Sequence, residues 1–355
     1  MKCPICSVEN NHPALYSYTP TTIDKLKLFD ERSIVQCKSC GFGMIEKDVD
    51  PGILQNYYTS EYSGKAKKQV ETKNTDNRTS YSTDIRSLSQ LTLIRQYIDI
   101  TSDSTIVEIG AGTGNFLFSL KQVKYKGKYI AFEPQEQAHE CLRNLGSEIE
   151  KSIFNYQSAI KFKDSVDLLI MSHSLEHFNP GEIKDIVGAV KLMLKKNGIF
   201  FCEVPNANLE LYPNAGERVV PHLSFFSIES LKVLLQNFEM NIEFINACGN
   251  KQLEKNTSQK IEELDKKGYF IFDVDQKNNI LRNRKYHEDM AIESNRQKKR
   301  QLFLNVLFKL FGKKMVMSLL DFIRKCRQRP QTLMISDSQF SYAPSREFIR
   351  LIARK

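Results

Sequence analysis

No apolar run in the chain reaches the roughly 18 to 20 residues that crossing a bilayer requires. The opening MKCPICSVENN also lacks the apolar core of a secretion signal, so a cytosolic protein is expected. The stretch from Thr105 to Phe116, TIVEIGAGTGNF, has neither the G-x-G-x-x-G spacing nor the Gly-Lys-Ser/Thr ending of loops that cradle phosphates. It contains no lysine, and Glu108 would repel a diphosphate. Those absences exclude the commonest phosphate-binding readings of a glycine loop.

What the stretch does contain is a short apolar run, an acid, and three alternating glycines before a new apolar segment, which together read as strand, tight loop and helix. Gly110, Gly112 and Gly114, with Ala111 between the first two, let a ligand approach the backbone. The helix start adds unpaired N–H groups. A carboxylate at the strand end suits a ligand with a cationic end. Lys128 to Phe132 reads as the next strand and closes on Glu133, 25 residues after Glu108. That is the spacing at which an acid takes up the ribose hydroxyls of a bound nucleoside. The alternatives are an ordinary turn and a lone surface glutamate.

Cys3 and Cys6 form one CxxC, and Cys37 and Cys40 a second within CKSCG. Four thiolates at these spacings make a closed tetrahedral Zn²⁺ site without the open position that catalysis needs, so a structural zinc ribbon is expected. Two disulfides or chance pairs are the alternative, disfavoured where thiols stay reduced. Cys141, Cys202, Cys248 and Cys326 are scattered and read as packing residues.

The chain of 355 residues, 41% of them hydrophobic, has material for a substantial core and more than one domain. Its net charge of +9 is unevenly placed: from Lys251 onward there are 24 Lys/Arg against 12 Asp/Glu. Tyr57, Tyr58 and Tyr62 precede a polar stretch, Lys65 to Ser82, that reads as a loop or lid; the tyrosines either line a substrate mouth or pack between ribbon and core. Helices are expected over Asp84–Ile100, Gln135–Leu145 and Ile183–Leu194, the last stopped by Lys195-Lys196-Asn197-Gly198. Further strands are expected near Ile149–Phe154 and over Val166–Met171, Ile199–Val204, Asn241–Ala247 and Arg346–Ala353. This alternation predicts an α/β fold, a doubly wound parallel sheet.

In order along the chain, IVEIGAGTG, IAFEP, DLLIMSHSLEHF and LKKNGIFFCEVPN resemble the motifs of class I S-adenosylmethionine (SAM)-dependent methyltransferases, over about Asp84 to Asn246. With the ribbon, and with PHLSFFSIESLKVLL after the fifth strand, the chain resembles the zinc-containing methyltransferases of sugar and polysaccharide biosynthesis, the deoxysugar C-methyltransferases among them. The resemblance implies a Rossmann-like sheet of seven strands, the last antiparallel and lying between the fifth and sixth. It also implies SAM as cofactor, held by Glu108, the glycine loop, Glu133, Ser172 and His173. The implied acceptor is a nucleotide sugar or glycan hydroxyl. Where the C-methyltransferases carry Glu-His this chain has Pro221-His222, so half of their acid/base pair is replaced.

Methyl transfer needs a group to take the acceptor proton. His222 is the first candidate, because imidazole titrates near neutral pH and the connection after the fifth strand covers the acceptor in these enzymes. Glu176 and His177 follow the fourth strand and are the other catalytic candidates. A helix-capping turn at Glu176-His177 and a structural histidine at position 222 are the plainer readings. An RNA methyltransferase is suggested by the ribbon with the basic segment, but no (D/N)PPY follows the fourth strand and no Pro-Cys nucleophile is present. A non-catalytic SAM-binding module is the remaining class.

The expected organisation is a zinc ribbon and linker over 1–62, a SAM-binding core over 84–247 plus 346–355, and a basic helical insertion over 248–345. Within the insertion, 295–329 reads as two cationic apolar helices broken at Gly312-Lys313-Lys314. They are expected to pack on the core or a second subunit, or to lie on an anionic membrane surface, rather than to bind nucleic acid.

Overall fold

The computed structural model describes residues 2–9, 14–18, 32–61, 85–206, 222–254, 270–272, 332–336 and 348–355. The chain divides into two compact units, Met1–Gly249 with Asp337–Lys355, and Asn250–Ser336. Among the described residues no helix is long and apolar enough to cross a membrane.

The first unit opens with strands β1 (Ala14–Tyr18), β2 (Arg32–Gln36) and β3 (Gly43–Ile45). Helix α1 (Pro51–Asn56) begins at Asp50, whose side chain accepts from the N–H groups of Gly52 and Ile53, with Pro51 needing no partner in the first turn. A π-helical turn over Tyr57–Glu61 follows directly, and helix α2 spans Ile85–Ile94.

The core then alternates as expected. Strand β4 (Thr105–Ile109) leads into α3 (Asn115–Gln122), β5 (Lys128–Phe132) into α4 (Glu136–Asn144), and a short β6 (Glu148–Glu150) into α5 (Tyr156–Ala159). Next come β7 (Val166–Ser172), α6 (Ile183–Met193), β8 (Leu194–Pro205), a two-residue β9 (Ser224–Phe225), α7 (Ile228–Gln236), β10 (Asn241–Cys248) and, at the end of the chain, β14 (Phe348–Arg354). The seven-stranded sheet has the order β10-β14-β8-β7-β4-β5-β6, parallel from β8 to β6, with β14 antiparallel to both neighbours.

Both faces of this sheet are covered, which is why β7 reads as a near-continuous apolar run. Alternate residues divide between two cores. Val107, Ile109, Ile130, Leu169 and Cys202 point to one, and Ile106, Ala131, Leu168, Ile170 and Phe201 to the other. The first core is continuous with the ribbon residues Cys3, Ile5, Cys37, Cys40, Phe42 and Met44.

Two features depart from the sequence reading. Lys195 to Gly198, expected to be a turn ahead of the strand, lies within β8 as an irregularity in its pairing with β7. Asn197 takes a left-handed conformation, φ 66°, Lys195 Nζ bonds Asp167, and the backbone of 197–198 pairs with Lys355 at the chain end. Second, the four-stranded ribbon sheet has the order β1-β2-β3-β9, so its last strand comes from the segment that follows His222.

In the second unit the described residues form an antiparallel sheet β11-β13-β12, with β11 at Asn250–Glu254, β12 at Phe270–Phe272 and β13 at Thr332–Ser336. Strands this short left no readable alternation beside the stronger helical pattern. That pattern, 295–329, lies outside the described residues, as do Tyr62, the polar stretch 65–82, Pro221 and Cys326.

Candidate functional site

The glycine loop leaves β4 with Gly110, Gly112 and Gly114 all at positive φ, 76°, 54° and 84°. A Cβ on Gly110 would stand 2.8 Å from Ser174 Cβ, and one on Gly114 2.9 Å from Leu145 Cδ1, so these two are held by packing. Among the described residues, a Cβ on Gly112 would meet nothing within 4 Å. Among those residues nothing stands where a side chain on Gly112 would project, which leaves room for a ligand. The Gly110–Ser174 approach also brings the loop against the segment that follows β7.

Glu133, 4% exposed at the end of β5, accepts from the Gly112 N–H at 2.6 Å on one oxygen and from the Gln135 N–H at 2.9 Å on the other. Burial raises its pKa, and these two N–H bonds oppose the rise. The expected acid thus stands in contact with the central glycine. His139 on α4 bonds the Glu133 carbonyl at 2.7 Å.

Glu108 is placed differently from a free charge at the loop. Burial pushes its carboxyl up to about 8, against the pull of a hydrogen bond that the Tyr129 hydroxyl donates to it. Burial thus favours its neutral form relative to an exposed carboxylate. Tyr129 was not legible as its partner. Parallel strands place residues 108 and 129 on one sheet face, but nothing local marks the contact.

At the end of β7, Ser172 Oγ accepts from Gln90 Nε2 at 2.8 Å. His173 adopts φ 54°, and its ring sits between two buried carboxylates, with Nδ1 3.3 Å from Glu176 and Nε2 3.1 Å from Glu203. Burial and Arg86 work against its charge, but Glu176 and Glu203 outweigh them and raise its pKa. Burial alone would raise Glu176; His173, then His177 and His222, bring it down to about 2. Glu203 is likewise held below the ordinary range against its burial, by Arg350, His173 and Arg86. Arg350 Nη1 also donates to Ser89 at 2.6 Å. Glu203 and Arg350 were missed from sequence, although a charge inside FFCEV or FIRLIA is the signal that could have found them.

The three catalytic candidates come together. His222 Nε2 lies 4.0 Å from Glu176, the His177 and His222 rings are 5.2 Å apart, and the Leu223 N–H bonds the Glu176 carbonyl at 2.9 Å. Tyr58, from the π-helical turn, bonds His177 Nδ1 at 2.9 Å through its hydroxyl. The two tyrosines are placed differently: Tyr57 is buried, while Tyr58 bonds His177.

The four ribbon cysteines also converge, their sulfurs all within 4.8 Å of one another. Cys3 and Cys40 Sγ are 3.7 Å apart and Cys6 and Cys37 3.6 Å apart, far beyond a disulfide. A tetrahedral ion with sulfur at about 2.3 Å sets neighbouring sulfurs about 3.8 Å apart, so the donor set fits a four-coordinate metal. The Cys3 thiol is lowered to about 5 by the Cys40 side chain, whereas burial raises Cys6. Of the scattered cysteines, Cys202 and Cys248 are buried and Cys141 half-buried.

Residues 77–243 match the family described as a methyltransferase domain. The protein-lysine N-methyltransferase EFM4 of Saccharomyces cerevisiae is 26% identical over 116 residues, which cover 28% of this chain and 51% of that protein. The chain thus spans about half the length of that relative. A SAM-dependent methyltransferase from Archaeoglobus fulgidus superposes with a TM-score of 0.36 at 16% identity, over 79% of this chain and 100% of the other. Phosphoethanolamine N-methyltransferase 2 of Haemonchus contortus, solved with S-adenosylhomocysteine, gives 0.35 at 8% identity, over 74% and 52%. Residues 77–243 thus form a methyltransferase domain.

Proposed function

We propose that this chain transfers the methyl group of SAM to a hydroxyl of a sugar, presented as a nucleotide sugar or a glycan. The observation that carries the reading is the meeting of two sets of groups at one sheet edge. A Cβ on Gly110 would stand 2.8 Å from Ser174 Cβ, and two residues beyond Ser174 begins the cluster of Glu176, His177 and His222 with Tyr58. A wall of two imidazoles, a phenol and a carboxylate suits a polyhydroxylated acceptor.

Bound SAM supplies an electrophilic methyl group on a sulfonium. The protein has to align the acceptor oxygen with it, remove the acceptor proton and exclude water. Glu133 anchors the ribose, and the open face of Gly112 admits the methionine and ribose portions. Glu108 acts from beneath the loop, where a cationic ligand favours its ionised form. Ser172 and His173 border the cofactor at the end of β7. His222 takes the hydroxyl proton on Nε2 as the oxygen–carbon bond forms and the carbon–sulfur bond breaks, and the buried Glu176 carboxylate stabilises the imidazolium. His177, oriented by Tyr58, holds the acceptor. Cys3, Cys6, Cys37 and Cys40 would hold Zn²⁺ as a structural ion, since four thiolates would leave it no open position for chemistry.

Incubation with methyl-labelled SAM and separate panels of nucleotide sugars, glycans, proteins and RNA tests the reading. Label in a sugar, stable to base, supports it. A second reading, methylation of a protein lysine, takes its support from the activity named for the yeast relative and would put the label in the protein panel.

A further inference from the structure

Besides the four cysteines, the described residues bring one other set of metal-ligating groups together. Glu176, His177 and His222 each offer one ligand atom, and these atoms all lie within 4.8 Å of one another. Glu176 is 1% exposed, and neither of its carboxylate oxygens accepts a hydrogen bond among the described residues. Its charged neighbours are His173, 3.3 Å from Oε1, and His222, 4.0 Å from the same atom. The lone pairs of this carboxylate, which water would satisfy in the unfolded chain, have only the imidazoles of His173, His177 and His222 near them. A cation answers that lack directly.

The histidines are arranged for the same purpose. Tyr58 bonds His177 on Nδ1. An outer hydrogen bond of this kind fixes the tautomer and ring orientation of histidines that bind metals. His222 turns Nε2 toward Glu176, and its place is set by the Leu223 N–H bond to the Glu176 carbonyl. Two imidazoles and one carboxylate, with positions left open, are a donor set for Zn²⁺, Co²⁺ or Fe²⁺ rather than for Ca²⁺ or Mg²⁺.

We propose that Glu176, His177 and His222 form a second metal site, for a divalent transition ion, separate from the four-cysteine cluster. The ligand atoms close from within 4.8 Å to about 3.3 Å, the spacing around a tetrahedral ion with ligands at about 2.0 Å. That closure is within the reach of side-chain torsions. The imidazole of His173 against Glu176 opposes the ion and makes this site the weaker of the two. Occupancy takes the Nε2 lone pair of His222, so the ion inhibits methyl transfer; this consequence rests on the base role given to His222 above, whereas the site itself does not.

The test uses the full chain, loaded with zinc, freed of excess metal and titrated with Co²⁺ in the absence of SAM and acceptor. The expected result is uptake of about one further equivalent, with weak d–d absorption and none of the intense thiolate charge transfer that exchange into the cysteine cluster would give. His222→Ala and His177→Ala should each lose that uptake while still binding SAM, which shows that they fold. No uptake by the zinc-loaded parent, or uptake unchanged in both variants, overturns the site. Turnover of labelled SAM unaffected or raised at saturating Co²⁺ overturns the inhibition. Because the titration contains no acceptor, its failure is distinct from failure of the sugar reading.

Discussion

Arg350 and Glu203 face each other in register across the antiparallel strands β14 and β8, and Arg350 Nε donates to Glu203 Oε2 at 2.5 Å with neither side chain exposed. The last strand thereby supplies the countercharge for an acid whose other oxygen holds His173. Removing one partner of such a pair strands a buried charge, which costs about 3 to 5 kcal/mol, whereas removing both costs far less. Arg350→Met is expected to lower stability by about that amount in urea unfolding, and Arg350→Met with Glu203→Leu to recover part of it. A loss below about 1 kcal/mol for the single variant contradicts the assignment.

The pH dependence of Glu108 has a definite sign. Its folded-state value of about 8 stands above the ordinary 4.5, so between those values the folded chain holds a proton that the unfolded chain has released. Parental stability from this group therefore falls as pH rises through the window, by up to about 1.4 kcal/mol per pH unit. Glutamine cannot ionise. Unfolding of Glu108→Gln and parent, compared at about pH 5 and pH 8, is expected to show the variant gaining on the parent at the higher pH; a constant difference rejects the buried, protonated state.

How much of this was legible in the sequence follows from how local each signal is. The glycine loop and the two CxxC pairs are set by spacings of a few residues and Glu133 by its distance from Glu108, while the strand order followed from the resemblance to class I methyltransferases. The Arg350–Glu203 pair joins positions 147 apart and needed the sheet order before it could be seen. Strand β9, only two residues long, carries no pattern of its own; it is a strand because β3 offers it an edge. Lys195 to Gly198 has turn composition and is a strand irregularity because the chain end pairs with it. Tyr58 could be named only as one of three tyrosines near the site.

The four-cysteine sheet and the segment after His222 are hydrogen-bonded to each other. Met44 pairs with Ser224 and Gly43 with Phe225, the Ser227 hydroxyl bonds the Cys40 carbonyl at 3.0 Å, and Asn237 Nδ2 bonds the Ile5 carbonyl at 2.9 Å. Chelating the ribbon metal is expected to remove hydrogen-exchange protection from 32–45 and 222–231 while leaving 105–133 protected and SAM affinity within about threefold. Unchanged exchange in 222–231 after metal loss would show the two to be independent.

For His222→Ala, turnover is expected to fall roughly 10²-fold or more with SAM affinity retained, the size of a lost general base. Steady-state kinetics on the identified acceptor, paired with calorimetry on SAM, separates the two. Equal turnover for variant and parent moves the proton acceptor to His177 or Tyr58.

The central claim is that the loop at Gly112 receives SAM, and calorimetric titration of parent and Gly112→Asp with SAM tests it most directly. Gly112 stands at φ 54° with open space where a side chain would project, so aspartate adds bulk and charge in the ligand's place together with a strained backbone, and leaves the packed residues untouched. The account predicts saturable binding of about one SAM per parent chain and none to a variant that still unfolds cooperatively. A parent that does not bind SAM, or a variant that binds it as well as the parent, contradicts it.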